Sequence, residues 1–314
     1  MRVLARLPRL LAASSIIMRF AVCLSNAASP SSPSLKSLLV ANRERIASLR
    51  DIALSISNDE SVSPSNDVFY LRYALDDSKK NDDERARAMR ASIEWRSSEV
   101  GGRSIVTSAR RAVIDASSSP DGRWNNDPVR DAAPHSEYVS KYFDTEQCIT
   151  TTLPTTGDLV YCIRAGKIDD VGLMSSISID RLVEYFLYCK EVNSVVADMR
   201  SLENDRLVRL ITCNDLMDVK LVGGSPDLRK ALSAASKKAN ELYPTFNGRT
   251  LMLNPPALLG VLARLFTPLF PMAVRRRLKF VSGPLRDVVD LREISAGGIG
   301  REEFVAQVDA LAYD

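Results

Sequence analysis

Histidine and tryptophan are scarce in this 314-residue sequence, which has one His and two Trp, and none of its five cysteines forms a C-x-x-C pair. A zinc site needs clustered Cys and His ligands, so the composition does not favour one. The sequence also lacks the phosphate-loop pattern G-x-x-x-x-G-K-[ST] and the hydrolase pattern G-x-S-x-G. His135 stands beside Pro134 in a polar stretch, where we expect a surface residue rather than a catalytic base. We therefore expect no metal and no catalytic site, and an enzyme is the weakest of three hypotheses.

Acidic residues are missing from the first 43 positions, which hold six of the 42 basic residues. The remaining 36 basic residues face 39 acidic ones, so the body of the protein carries a net charge of −3. Because phosphate binding needs a net basic face, we do not expect nucleic acid as a partner.

Residues 1–36 have the composition of a targeting segment. An Arg-rich start leads into an apolar stretch, a small-residue site near Ala27 and a Ser/Pro run. A secretory signal and a plastid or mitochondrial transit peptide both fit, and a disordered amphipathic arm on a cytoplasmic, membrane-peripheral protein is the alternative. Cys162 and Cys213 lie in apolar runs typical of buried thiols, which favours a reducing compartment.

The rest of the chain divides into three parts. Residues 38–100 show helical spacing of apolar residues and predict a small N-terminal helical unit. Residues 101–150 are rich in turn formers and predict a long, partly ordered connection with one or two short helices. Residues 151–311 alternate short apolar runs with helical segments, which predicts an α/β domain with a mixed, largely parallel sheet covered by helices. The strand candidates are Leu159–Ile163, Leu207–Cys213, Thr250–Leu253 and Leu278–Val281, and the helix candidates include Ile179–Met199, Pro226–Leu242 and Pro256–Phe266.

The stretch Glu241–Gly283 resembles the most recognisable segment of the CRAL-TRIO lipid-binding family. Its Tyr243-Pro244 stands at a predicted helix end, its next strand closes at Asn254, an apolar helix follows, and Arg277 opens another strand. Trp95-Arg96 at the end of the helical unit is similar to the family's usual Trp-Arg. The resemblance implies a CRAL-TRIO domain with an apolar lid helix over a pocket that holds one phospholipid or other small lipid, and no cofactor besides that lipid.

The resemblance and the polarity of the residues give a set of candidate site residues. We expect the polar contacts to the lipid from Tyr161, Asp215, Tyr243, Asn254 and Arg277. We expect the apolar contacts from the lid, whose members are Leu258, Leu262, Leu265 and Phe266. Phe270, Arg275 and Arg276 follow as candidates for contact with an anionic membrane surface. We expect a monomer that touches membranes transiently.

Two departures from the family pattern bear on the ligand. Leu71-Arg72 is followed by a stretch that ends in Asp76-Asp77, and Thr245 follows Tyr243-Pro244, so the residues that recognise phosphatidylinositol are absent. Phosphatidylinositol is therefore not the expected ligand. A scaffold or regulator that uses the same fold to bind a membrane or protein partner, without lipid transfer, remains the second hypothesis.

Overall fold

A computed structural model of the protein describes residues 33–118, 124–144, 146–219, 224–257 and 278–313. The segment 1–32, the lid candidates from Leu258 onward, and the residues Phe270 and Arg275–Arg277 lie outside these ranges. The first described helix begins at Leu35, inside the predicted arm, because the Ser34 side chain accepts a hydrogen bond from the Ser37 N–H and caps it.

Four helices pack together in the N-terminal part of the described residues. Apolar residues that recur every three or four positions bury one side of each helix in a common core. Asn81 caps the last helix by accepting from the Glu84 N–H. The helices are α1 (Leu35–Ala41), α2 (Arg43–Leu54), α3 (Asp67–Ala74) and α4 (Asp82–Ser97).

The prediction for residues 101–150 was wrong in extent. The region contains a 15-residue helix, α5 (Arg103–Ser117), whose buried residues Ile105, Ala109 and Val113 lie on one side. Flanking Gly and Ser residues concealed this amphipathic pattern in the sequence. Two short helices follow, α6 (Asp127–Asp131) and α7 (Ser136–Val139), and the first strand begins at Cys148, before the predicted domain boundary at 151.

Five strands form a mixed, mostly parallel sheet in the order in which they occur along the chain. The first pairs antiparallel with the second at one edge, and the other pairs are parallel. The predicted strand Leu278–Val281 agrees in both bounds, whereas the predicted Leu207–Cys213 lies two to three residues too early. The strands are β1 (Cys148–Thr152), β2 (Leu159–Arg164), β3 (Leu210–Asp215), β4 (Asn247–Leu253) and β5 (Leu278–Val281).

Helices of the described residues pack on both faces of the sheet. Helix α8 (Asp170–Ser176), α9 (Ile179–Glu203) and α10 (Pro226–Leu242) follow β2 and β3. Residues of α9 and α10 pack on the side of the sheet that carries Leu159 and Leu210, which we call the inner face. Two C-terminal helices, α11 (Leu291–Ser295) and α12 (Ile299–Tyr313), pack on the opposite, outer face.

Two buried ion pairs join the helical unit to α9. The Arg72 guanidinium donates from Nε to Asp198 at 2.7 Å, and Arg96 donates to both oxygens of Glu191 at 2.8 and 2.6 Å. All four side chains are almost fully buried. Removing one partner of such a pair leaves an uncompensated buried charge, so the pairs fix how the helical unit sits on the α/β part.

The coarse prediction of an α/β protein with a largely parallel sheet is confirmed. Among the described residues, no helix combines the length and the apolar character that a membrane span requires.

Candidate functional site

Two rows of side chains cross the inner face near the carboxyl ends of the parallel strands. In open α/β sheets ligands bind at this end of the strands. The first row is Tyr161, Thr212, Thr250 and Leu278, and the second row is Ile163, Asn214, Met252 and Phe280. We call these eight residues the inner strip. None of the eight carries a charged side chain.

The apolar core around the inner strip is divided. One cluster lies at the amino half of the inner face and contains Leu159 and Leu210. A second contains Met252 and Leu278, and a third joins α7 to α10. Ile163, at the β2 end of the second row, is half-buried and belongs to none of the clusters formed by the described residues. A well-packed face would merge such clusters, so their separation marks the inner strip as a candidate binding surface.

Two polar groups of the inner strip have sulfur atoms as partners. The residue Asn214 is 8% exposed, and its Nδ2 donates to the Met252 Sδ at 3.5 Å. The Tyr161 hydroxyl donates to the Cys148 Sγ, also at 3.5 Å. Thioether and thiol sulfurs are weak acceptors, and a carboxamide has two N–H donors and a carbonyl acceptor to satisfy. Both groups are therefore poorly paired within the described residues.

The surroundings of Tyr161 keep its hydroxyl neutral. Burial raises the pKa of Tyr161 well above its usual range, and the neighbouring Cys148, Cys189 and Tyr185 raise it further. Burial also raises the pKa of the Cys148 and Cys189 thiols to about 12 each. The site is thus apolar with neutral hydrogen-bonding groups, which suits an uncharged hydrophobic molecule.

Asp215 and Asn254 lie on the other side of the sheet. The Asp215 carboxylate accepts from the Arg164 Nε at 2.8 Å and from the Asn254 Nδ2 at 3.1 Å. Arg164 also donates to the carbonyl oxygens of Val288 and Val289, and Asn254 donates to that of Pro284. This outer cluster ties the strand ends to the segment before α11 and has a structural role.

Tyr243 also lies away from the inner strip. It is buried where α10 meets the helical unit, and burial followed by the nearby Glu191 raises the pKa of its hydroxyl well above the usual range. Of the sequence-predicted polar residues that the structure describes, Tyr161 alone lies on the inner strip. Asn214 was missed because one Asn in an apolar strand carries no pattern that points to a ligand.

The ranges that the structure describes also contain His135 and other side chains that could ligate metals. No group of three or more His, Cys, Asp and Glu side chains there could hold a metal ion. His135 lies at the surface-facing side of α9, where its Nε2 contacts the Glu184 carboxylate at 2.7 Å.

Comparisons with known proteins do not assign this chain to a family. No protein-family model matches it, and no curated protein matches it.

Proposed function

We propose that this chain is a lipid-binding protein of the CRAL-TRIO type, which holds one hydrophobic molecule on the inner strip and transfers or presents it at membranes. The observation that carries the proposal is the uncharged inner strip at the carboxyl ends of parallel strands, whose apolar residues are divided between separate clusters of the described residues. A large apolar surface with a few oriented polar groups is the usual chemistry of a lipid pocket.

The membrane step of the proposal depends on the sequence alone. Leu258–Phe270 is almost entirely apolar, and Arg275–Arg277 follow it directly. An apolar element beside basic residues suits an anionic bilayer, where each basic residue contributes about 1 kcal/mol.

Native mass spectrometry of the purified full chain tests the binding step. We expect a 1:1 complex with a hydrophobic molecule, and a protein that stays empty after incubation with mixed lipid vesicles would contradict the proposal. Transfer of labelled lipid between vesicles then separates a transfer protein from a scaffold, because a scaffold keeps its ligand.

The basic residues allow a test of the membrane step. Arg275→Glu with Arg276→Glu should slow transfer to anionic vesicles and leave the bound ligand in place. The effect should shrink with added salt, because exposed charges are screened over about 10 Å at moderate ionic strength. Unchanged transfer at low salt would show that these residues do not contact the membrane.

A further inference from the structure

We infer that the ligand of the inner strip is an uncharged lipid that carries hydroxyl or carbonyl oxygen, and that the Asn214 carboxamide and the Tyr161 hydroxyl bind that oxygen. This inference rests on the proposed function and narrows it from lipids in general to oxygen-bearing neutral lipids. Phospholipids, with a charged phosphate, are the class that it excludes from this position.

The first argument is the state of Asn214. A buried amide that lacks good partners costs about 1–3 kcal/mol, so buried Asn side chains are normally paired with oxygen or nitrogen. Here the Nδ2 atom reaches a thioether at 3.5 Å, and the neighbours in the same row are Ile163 and Met252, which offer no oxygen acceptor in their side chains. An oxygen atom of a ligand placed over this row would replace a weak partner with a strong one.

The second argument is the position of further hydroxyls. Tyr161, Thr212 and Thr250 are neighbours in one row across β2, β3 and β4, one row below Asn214. All three are half-buried, and the Tyr161 hydroxyl again has sulfur as its partner. The inner strip therefore offers several neutral hydrogen-bonding groups within the span of one ligand head.

The third argument concerns charge. A buried phosphate needs a buried cation or several strong donors, since an isolated charge loses its hydration in an apolar site. None of the eight residues of the inner strip is basic. The buried arginines that the structure describes in this region are committed elsewhere: Arg164 pairs with Asp215 on the outer face, and Arg72 pairs with Asp198.

The test uses extraction from vesicles with two variants and a matched control. Phosphatidylcholine vesicles carry labelled dioleoylglycerol, hexadecane and phosphatidylglycerol in equal amounts, and the lipid recovered with the full chain is measured by mass spectrometry. The wild type should recover dioleoylglycerol in preference to phosphatidylglycerol. Asn214→Leu and Tyr161→Phe should each lower the ratio of dioleoylglycerol to hexadecane by about five- to tenfold, the value of one hydrogen bond. Because this ratio is compared between variants, the partition of each probe from the bilayer cancels.

Tyr188→Phe serves as the control, since the Tyr188 hydroxyl donates to the Val129 carbonyl oxygen at 2.7 Å and lies off the inner strip. It should leave the ratio unchanged and lower the melting temperature. Tyr161→Phe and Asn214→Leu should leave the melting temperature of the empty protein unchanged or raise it, because their native partners are weak.

The outcomes separate the two proposals. Recovery of no lipid by the wild type, neither a probe nor the phosphatidylcholine of the vesicles, would overturn the proposed function together with this inference, whereas recovery of phosphatidylcholine alone would overturn this inference only. Recovery of lipid with an unchanged ratio in both strip variants, or preferential recovery of phosphatidylglycerol, would overturn this inference and leave lipid binding intact. A large loss of stability in both strip variants would show that the two side chains serve the fold, which also overturns it.

Discussion

Asn214 and Asp215 are adjacent in β3, yet the two faces of the sheet treat them in opposite ways. Asp215 points to the outer face, where Arg164 and Asn254 satisfy its carboxylate and the pair is almost completely buried. Asn214 points to the inner face, where its amide reaches a thioether. Buried polar groups in stable cores are normally paired, so among the described residues the outer-face Asp215 is well satisfied and the inner-face Asn214 is poorly paired.

The largest expected effect tests the outer cluster. Asp215→Ala leaves the Arg164 guanidinium buried without its carboxylate, and we expect a loss of about 3–5 kcal/mol in the free energy of unfolding. Urea denaturation of the full chain measures this. Lys230→Ala is the control, because Lys230 forms an exposed ion pair with Asp227, and its loss should cost about 0.5 kcal/mol or less. A loss below 1 kcal/mol for Asp215→Ala would remove the contrast between the faces.

A second buried ion pair tests whether an orphaned buried charge also lowers stability away from the sheet. Glu191→Ala leaves Arg96 buried between α4 and α9, and we expect a loss of about 3 kcal/mol in the free energy of unfolding. The double variant Arg96→Leu with Glu191→Leu should recover most of that loss, since no charge remains buried. A double variant as unstable as the single one would mean that the pair itself, and not the orphaned charge, determines the stability of this interface.

The sequence predicted some elements of the fold much better than others. Helix Pro226–Leu242 was predicted to the residue, because Ser225 caps it and Pro226 opens it. Strand β1 was missed, since Cys148–Thr152 contains three threonines and pairs only at the sheet edge. Propensity carries little information for such a short polar strand.

The candidate site was harder to predict than the fold. Asp215 and Asn254 were recognised as polar residues at strand ends, but the face to which each side chain points depends on the register of neighbouring strands. Asn254 has a φ of 47°, and its side chain turns toward Asp215 and Pro284. Asn214 could not be singled out at all, because its poor pairing becomes visible only when Met252 is known to lie beside it.

Asn254 provides a smaller test of the outer cluster. Its left-handed backbone favours Gly over Ala by about 1 kcal/mol, and its side chain makes hydrogen bonds to Asp215, Pro284 and the Gly283 N–H. We expect Asn254→Gly to lower the free energy of unfolding by about 1–2 kcal/mol, and Asn254→Ala to lower it by about 1 kcal/mol more. Equal losses in the two variants would show that the backbone conformation at this position does not contribute.

The smallest expected effect concerns pH and the inner strip. Burial raises the pKa of Tyr161 well above 10, and burial raises the pKa of Cys148 and Cys189 from 9.0 to about 12. These groups therefore stay neutral in the folded protein between about pH 5 and pH 9, and we expect the amount of retained ligand to be constant over that range. A protein that held its ligand through a titrating charge would release it at one end of the range.

The same pKa shifts predict how the free energy of unfolding changes at higher pH. A thiol whose pKa is higher in the folded state contributes stability that is fully present below the unfolded value of 9.0 and is lost as the pH rises toward about 12. The free energy of unfolding should thus fall above about pH 9, and it should fall less steeply in Cys148→Val, which lacks one of these thiols. The comparison is made by urea denaturation of both proteins from pH 7 to pH 11. A parallel fall in the two proteins would mean that the Cys148 thiol ionises as readily in the folded protein as in the unfolded chain. Cys148, the sulfur partner of Tyr161, would then not be held neutral by the fold at high pH.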